Sequence, residues 1–121
     1  MTDTLWLILA LFTKHFIVDF PLQRAYQWSN KGTYGHTGGV LHAWLHGVGT
    51  LLCFYWIAPM ASWYLAFADT IIHYQIDWAK MNLNKRMGWA PNTHEEFWWL
   101  LGLDQYLHAL TYIVMIAMVT A

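Results

Sequence analysis

The chain has 121 residues, 58% of them hydrophobic and only 11% charged, with a formal net charge of -1. That length sets one domain, the charge gives no footing for nucleic acid, and the single cysteine, Cys53, excludes an internal disulfide, a zinc ribbon or a thioredoxin-type motif. Nine Trp, seven Tyr and six Phe suit a protein with aromatic belts at a membrane interface.

The first apolar segment runs from about Leu5 to Phe20, capped by Thr2, Asp3 or Thr4 and closed by Pro21. Its sixteen residues span about 24 Å as a helix, short for a bilayer core of roughly 30 Å. Met1 to Thr4 carries no Lys or Arg, so it lacks the basic start of a cleaved signal, and the segment is expected to be a mature span. The next stretch, LQRAYQWSNKG, mixes Leu22, Tyr26 and Trp28 with Arg24, Gln27 and Lys31, which predicts a short interfacial helix stopped at Gly32. A glycine-rich loop, TYGHTGG, follows.

Segment two is predicted over 40–58. No Asp, Glu, Lys or Arg occurs between Lys31 and Asp69. Pro59 sets a tight turn into segment three, 62–80, and a polar loop over 81–92 separates it from segment four. Segment four is predicted over 94–119, with Thr93 and Glu96 at the spacing of a capping box. Arg24, Lys31, Lys80, Lys85 and Arg86 all fall in or beside the first and third connections, whereas the second connection and both termini have none. Basic loops stay in the cytoplasm, so the expectation is a multi-pass, up-down-up-down four-helix bundle in a bacterial inner membrane with both termini outside the cytoplasm.

One spacing recurs in every segment: His15-x3-Asp19, His42-x3-His46, His73-x3-Asp77 and Asp104-x3-His108. Residues four apart share a helix face, and the expected topology brings all four pairs to one level, within roughly 2–16 Å of the cytoplasmic end at 1.5 Å per residue. Only Asp3, His36 and His94 among the His and Asp residues fall outside the pattern, since Asp69 extends it by one step before His73. Ionisable groups in apolar surroundings are costly and tend to be functional. Imidazole and carboxylate together suit zinc, with manganese or iron as alternatives, and helix bundles hold such sites on facing helices. Eight ligands exceed the four a tetrahedral ion needs, so two ions, or one ion with supporting groups, fit the count. Asp69 is placed to bridge, to orient His73 or to act as a base, Asp77 to ligate or to take part in catalysis, and Gln23 and Gln105 to support the ligands. Two readings without a resident metal stand beside this one. The pairs can act as interhelical polar contacts or a proton relay, and paired imidazoles can hold haem, which leaves the Asp residues unexplained.

The order and spacing of His15, DFPLQ (19–23), Lys31, HAWLH (42–46), HYQIDWAK (73–80) and DQYLH (104–108) resemble domain-of-unknown-function family three-three-zero-seven over nearly the whole chain. That resemblance implies a small bacterial or phage-borne multi-pass inner-membrane protein and supplies no reaction. A looser likeness is to inner-membrane metal-dependent hydrolases built on His and Asp motifs. The expected function is metal-dependent hydrolysis of a lipid or phosphoester-type substrate, with Arg24, Lys31 and Lys80 holding its anionic group. The alternatives are a metal-ion or proton transport protein, and a non-enzymatic phage effector with a structural metal. Oligomerisation is open, because Gly47 and Gly49 do not form the GxxxG spacing.

Overall fold

The computed structural model describes residues 1–121 as five α-helices without strands. They are α1 (Asp3–Asp19), α2 (Ala25–Trp28), α3 (Thr37–Tyr55), α4 (Pro59–Met87) and α5 (Glu95–Thr120). Thr2 caps α1 through its hydroxyl, which accepts from Leu5 N at 3.3 Å. Pro59 stands at the first turn of α4, where its missing N–H is no loss.

Three sequence expectations need correction. Helix α4 continues through Met81–Met87, which was expected to be loop, because Asn84, Lys85 and Arg86 tolerate a helix and the chain stops at Gly88 with φ 68°. Thr93 does not cap α5: His94 is the N-cap, and the Thr93 hydroxyl bonds His94 Nδ1 at 2.8 Å instead. The interfacial helix shrinks to the single turn Ala25–Trp28.

The four long helices form a ring in which α3 packs on α1 and α4, and α5 closes the ring against α4 and α1. Contacts such as Lys80–Asp104 and His108–Asp77 run α4 and α5 antiparallel, and Thr50–Asp69 with His42–Asp77 does the same for α3 and α4. Helices α3 and α4 come close together at Gly47, where an added Cβ would run into Thr70 Oγ1 and lie 2.9 Å from Ala66 O.

The interior is built from an i,i+4 ladder on every long helix. The inward positions are Asp19, His15, Leu11 and Leu7 on α1, and His42, His46, Thr50 and Phe54 on α3. On α4 they are Asp77, His73, Asp69 and Leu65, and on α5 Asp104, His108, Tyr112 and Ile116. Four layers result: a carboxylate-rich layer, a layer of four histidines, a mixed layer, and an apolar layer of Leu7, Phe54, Leu65 and Ile116.

Polarity is therefore inverted. Fourteen of the 26 buried residues are polar or charged, while Phe16, Trp44, Leu52, Phe67, Trp99 and Val114 point outward. A chain folding in water would bury the second set in preference to the first. By length and composition one helix, α5, is apolar enough to cross a membrane. The inward His and Asp residues lower the mean hydropathy of α3 and α4, and α1 has only 17 residues.

A buried histidine and aspartate centre

The His/Asp pairs sit where α1, α3, α4 and α5 converge, and each pair holds two successive steps of its helix face. His42, His46 and His73 are fully buried, and Asp77, Asp104 and His108 nearly so. The His46 and His73 rings stack at 3.6 Å between centroids and 22° from parallel, and His73 stacks on His108 at 3.9 Å and 17°. His15 completes the layer, its ring 5.2 Å from His46 and 5.3 Å from His108.

Hydrogen bonding fixes where protons lie. Lys14 Nζ, which can only donate, reaches Asp69 Oδ2 at 3.0 Å, Tyr112 OH at 3.1 Å and His46 Nδ1 at 3.3 Å. His46 Nδ1 thus accepts, and its Nε2 carries the proton toward Asp19 Oδ1 at 2.8 Å. Tyr112 OH, already accepting from Lys14, donates to His15 Nδ1 at 2.7 Å, and His15 Nε2–H lies 3.0 Å from Gln105 Oε1 and 2.9 Å from Asp19 Oδ2. His42 is turned the other way. Its Nδ1–H donates to Gln27 Oε1 at 3.3 Å, which leaves the Nε2 lone pair facing Asp19 Oδ1 at 3.1 Å and Asp77 Oδ2 at 3.5 Å. A lone pair aimed at two carboxylates is repulsive unless a cation lies among them. His42 Nε2, both ring nitrogens of His73, Asp77 Oδ2 and Asp104 Oδ1 are buried and make no well-directed hydrogen bond, although Lys31 Nζ lies 3.0 Å from Asp77 Oδ2 and His73 Nε2 3.3 Å from it.

Two groups of buried side chains bring their donor atoms within 4.8 Å of one another and could hold a metal ion: Asp19, His42, His46 and His73, and then His73, Asp77 and His108. His73 belongs to both, whereas His46, with Nδ1 turned to Lys14 and Nε2–H to Asp19, has a lone pair for an ion only once that hydrogen bonding rearranges. Six of the eight sequence-selected ligands thus converge, while His15 and Asp104 lie outside both groups. His15 holds Asp19 from one side, and Asp104 lies 3.4 Å from His108 Nε2. Groups of this kind orient ligands and tune a metal.

The other selected residues take distinct places. Asp69 does not bridge: its Oδ2 is taken by Lys14 and by Thr50 Oγ1 at 2.5 Å, one layer deeper. Gln105 links His15 to Asp104, donating to Asp104 Oδ2 at 3.0 Å. Gln23 donates only to the Asp19 backbone oxygen, at 2.6 Å. Lys31 and Lys80 face inward, onto Asp77 Oδ2 at 3.0 Å and Asp104 Oδ2 at 3.3 Å, while Arg24 is exposed and forms no ion pair. Sequence reasoning passed over Lys14, Thr50, Gln27 and Tyr112. Thr50 and Tyr112 extend the ladders from His46 and His108 by one further step of four, and that continuation was the available signal.

Four carboxylates (Asp19, Asp69, Asp77, Asp104) face three ammonium groups (Lys14, Lys31, Lys80) in this interior. His108 Nε2 also lies between two of these carboxylates, 3.3 Å from Asp77 Oδ1 and 3.4 Å from Asp104 Oδ1.

The arrangement defines an all-helical bundle with a buried His/Asp centre able to hold a metal. The chain belongs to the family described as Protein of unknown function (DUF3307), which matches it over residues 7–121. No curated protein and no solved structure matches it.

Proposed function

We propose that this protein is a multi-pass protein of the bacterial cytoplasmic membrane that holds a divalent metal, zinc in the first instance, among its four long helices and uses it to hydrolyse a phosphoester carried by a lipid. The observation that carries the metal is His73. It is fully buried, neither ring nitrogen makes a well-directed hydrogen bond although Nε2 lies 3.3 Å from Asp77 Oδ2, and it is common to both ligand groups. Leaving a buried polar group unpaired costs about 1–3 kcal/mol, and a metal bond removes that cost.

Membrane insertion is supported by the inverted polarity, since an interior of ion pairs sheathed in Trp, Phe and Leu is stable only where the surroundings are apolar. Helix α4, with 29 residues, is about 43 Å long and exceeds a bilayer core of roughly 30 Å. Its C-terminal turns, with Lys85 and Arg86, extend past that core on the side where Arg24 and Lys31 also lie. Basic residues gathered at one end favour a cytoplasmic location for that end and for the carboxylate layer next to it.

Hydrolysis is the chemistry a His/Asp-bound divalent ion supplies: it lowers the pKa of a coordinated water toward 7 and polarises a phosphoryl oxygen. Asp77 is the carboxylate at the centre, approached by His42, His73, His108 and Lys31. Ion passage through the bundle fits less well, because the layer below Asp69 is closed by Leu7, Phe54, Leu65, Met115 and Ile116.

The test is hydrolysis of a panel of phospholipid monoesters, read by released phosphate, and diesters, read by the released headgroup or phosphomonoester, by zinc-loaded protein in nanodiscs, beside the His73→Phe variant. Hydrolysis of one class, lost in the variant, is expected. Equal rates in both proteins, or no hydrolysis of any class by metal-loaded protein, would overturn the enzymatic reading. Release of the protein from membranes by alkaline carbonate would overturn the membrane reading.

A further inference from the structure

Two long apolar grooves run along the outside of the bundle, and they differ at their ends. The groove between α4 and α5 has a volume of 520 Å³, and its lining, which includes Ile72, Leu110 and Val114, carries no charged residue. The groove between α1 and α3 has a volume of 610 Å³, and ten of its thirteen lining residues are hydrophobic. Its α1 side extends from Trp6 to Val18, about 18 Å along the helix, with Leu22 in the turn beyond. That is longer than the roughly 15 Å depth of one leaflet of acyl chains, half of the hydrocarbon core. Two residues past Leu22 stands Arg24, exposed and without a carboxylate partner. The wall of this groove beside the metal layers is the stem of Lys14. That stem runs past Gly49, where an added Cβ would collide with Lys14 Cγ, and the ammonium turns inward to within 3.3 Å of His46 Nδ1.

We infer that the α1–α3 groove seats an acyl chain of an anionic phospholipid, with the phosphate drawn to Arg24 at the end nearest Asp19. An apolar channel of chain-like length, with an exposed and unpaired arginine two residues beyond Leu22 of its lining, matches such a lipid in both polarity and order. The groove adjoins the ligand layers through a single side-chain stem, which places the lipid beside the proposed centre. The inference rests on the membrane reading given above and names the substrate class for it, but the groove does not depend on the metal.

The experiment is photolabelling in nanodiscs with diazirine-tagged phosphatidylglycerol, compared with phosphatidylcholine bearing the same chain, followed by peptide mapping. Label concentrated on Ala10, Leu45 and Leu52 over Ile72, Leu110 and Val114 is expected. Ala10→Trp, which fills the groove and touches no ligand, should abolish that excess while metal content stays unchanged. Arg24→Gln should reduce the preference for the anionic lipid about fivefold, the worth of one basic residue at an anionic headgroup. Equal labelling of the two grooves, or labelling indifferent to Ala10→Trp, would overturn the chain site. An unchanged lipid preference in Arg24→Gln would overturn the headgroup assignment. Failure of the protein to enter nanodiscs at all would overturn the membrane reading itself, a result distinct from even labelling.

Discussion

The imidazoles of His46 and His73 lie 3.6 Å apart across α3 and α4, and His73 in turn stacks on His108 at 3.9 Å. The middle ring thus spans the two ligand groups. His73→Phe keeps a flat ring in the stack and removes only the nitrogens. Metal content should fall in both groups, while helicity and the unfolding midpoint of the metal-free protein change little. Elemental analysis and circular dichroism on the same sample check this. Full metal content in His73→Phe would remove His73 from the ligand set.

Lys14 and Asp69 form a buried ion pair at 3.0 Å, with Thr50 and Tyr112 completing their hydrogen bonds. Removing one partner leaves a buried charge, a change that typically costs about 3–5 kcal/mol. Lys14→Met should therefore lower the unfolding midpoint sharply, and the Lys14→Met/Asp69→Leu double variant should recover most of the loss. Thermal unfolding in one detergent measures the cycle. Additive effects of the two substitutions would show that the pair is not coupled.

Gly47 allows α3 and α4 to meet, because a methyl there would meet both Thr70 Oγ1 and the backbone oxygen of Ala66. The Ala66 oxygen belongs to the helix itself and cannot swing aside. Gly47→Ala should destabilise the fold by about 1–3 kcal/mol, the usual range for overpacking. Since the same two helices supply His42, His46, His73 and Asp77, weaker metal retention during dialysis should accompany the loss. Gly102 has nothing within 4 Å of an added Cβ and serves as the control: Gly102→Ala should be neutral or stabilising.

Metal binding to the folded state should stabilise it by mass action. At a free zinc concentration one hundred times the dissociation constant, the gain is about 2.7 kcal/mol. Chelation should lower the unfolding midpoint, and zinc should restore it in the parent protein but not in His42→Ala. A midpoint indifferent to zinc and chelator alike would count against a site in the folded bundle.

Much of this centre is legible in the amino-acid order, because a helix face repeats every fourth residue and the His and Asp residues follow that repeat. The family resemblance carried by DFPLQ, HAWLH and DQYLH also holds. Lys14 was hidden because it is off the ladder by one position: it precedes His15, and only its long stem brings the ammonium under the histidine layer. Asp69 looked like a further ligand because it continues the α4 ladder, but the step to its layer brings it to Lys14 and Thr50 instead. The end of α4 was misjudged because Asn and Lys residues suggest a loop, while Gly88, which can adopt positive φ at little cost, marks the true stop. The capping box failed for a local reason, since the Thr93 hydroxyl is engaged by His94.

The proposed function requires first of all a metal in the histidine and aspartate layers. The most direct measurement is elemental analysis of protein extracted gently from membranes, with a visible spectrum of the same sample. One or two equivalents of zinc, or of manganese or iron, no haem band, and loss of the metal in His73→Phe are expected. Folded protein that contains no metal and takes up none on reloading would contradict it and leave the layers as a polar core of ion pairs.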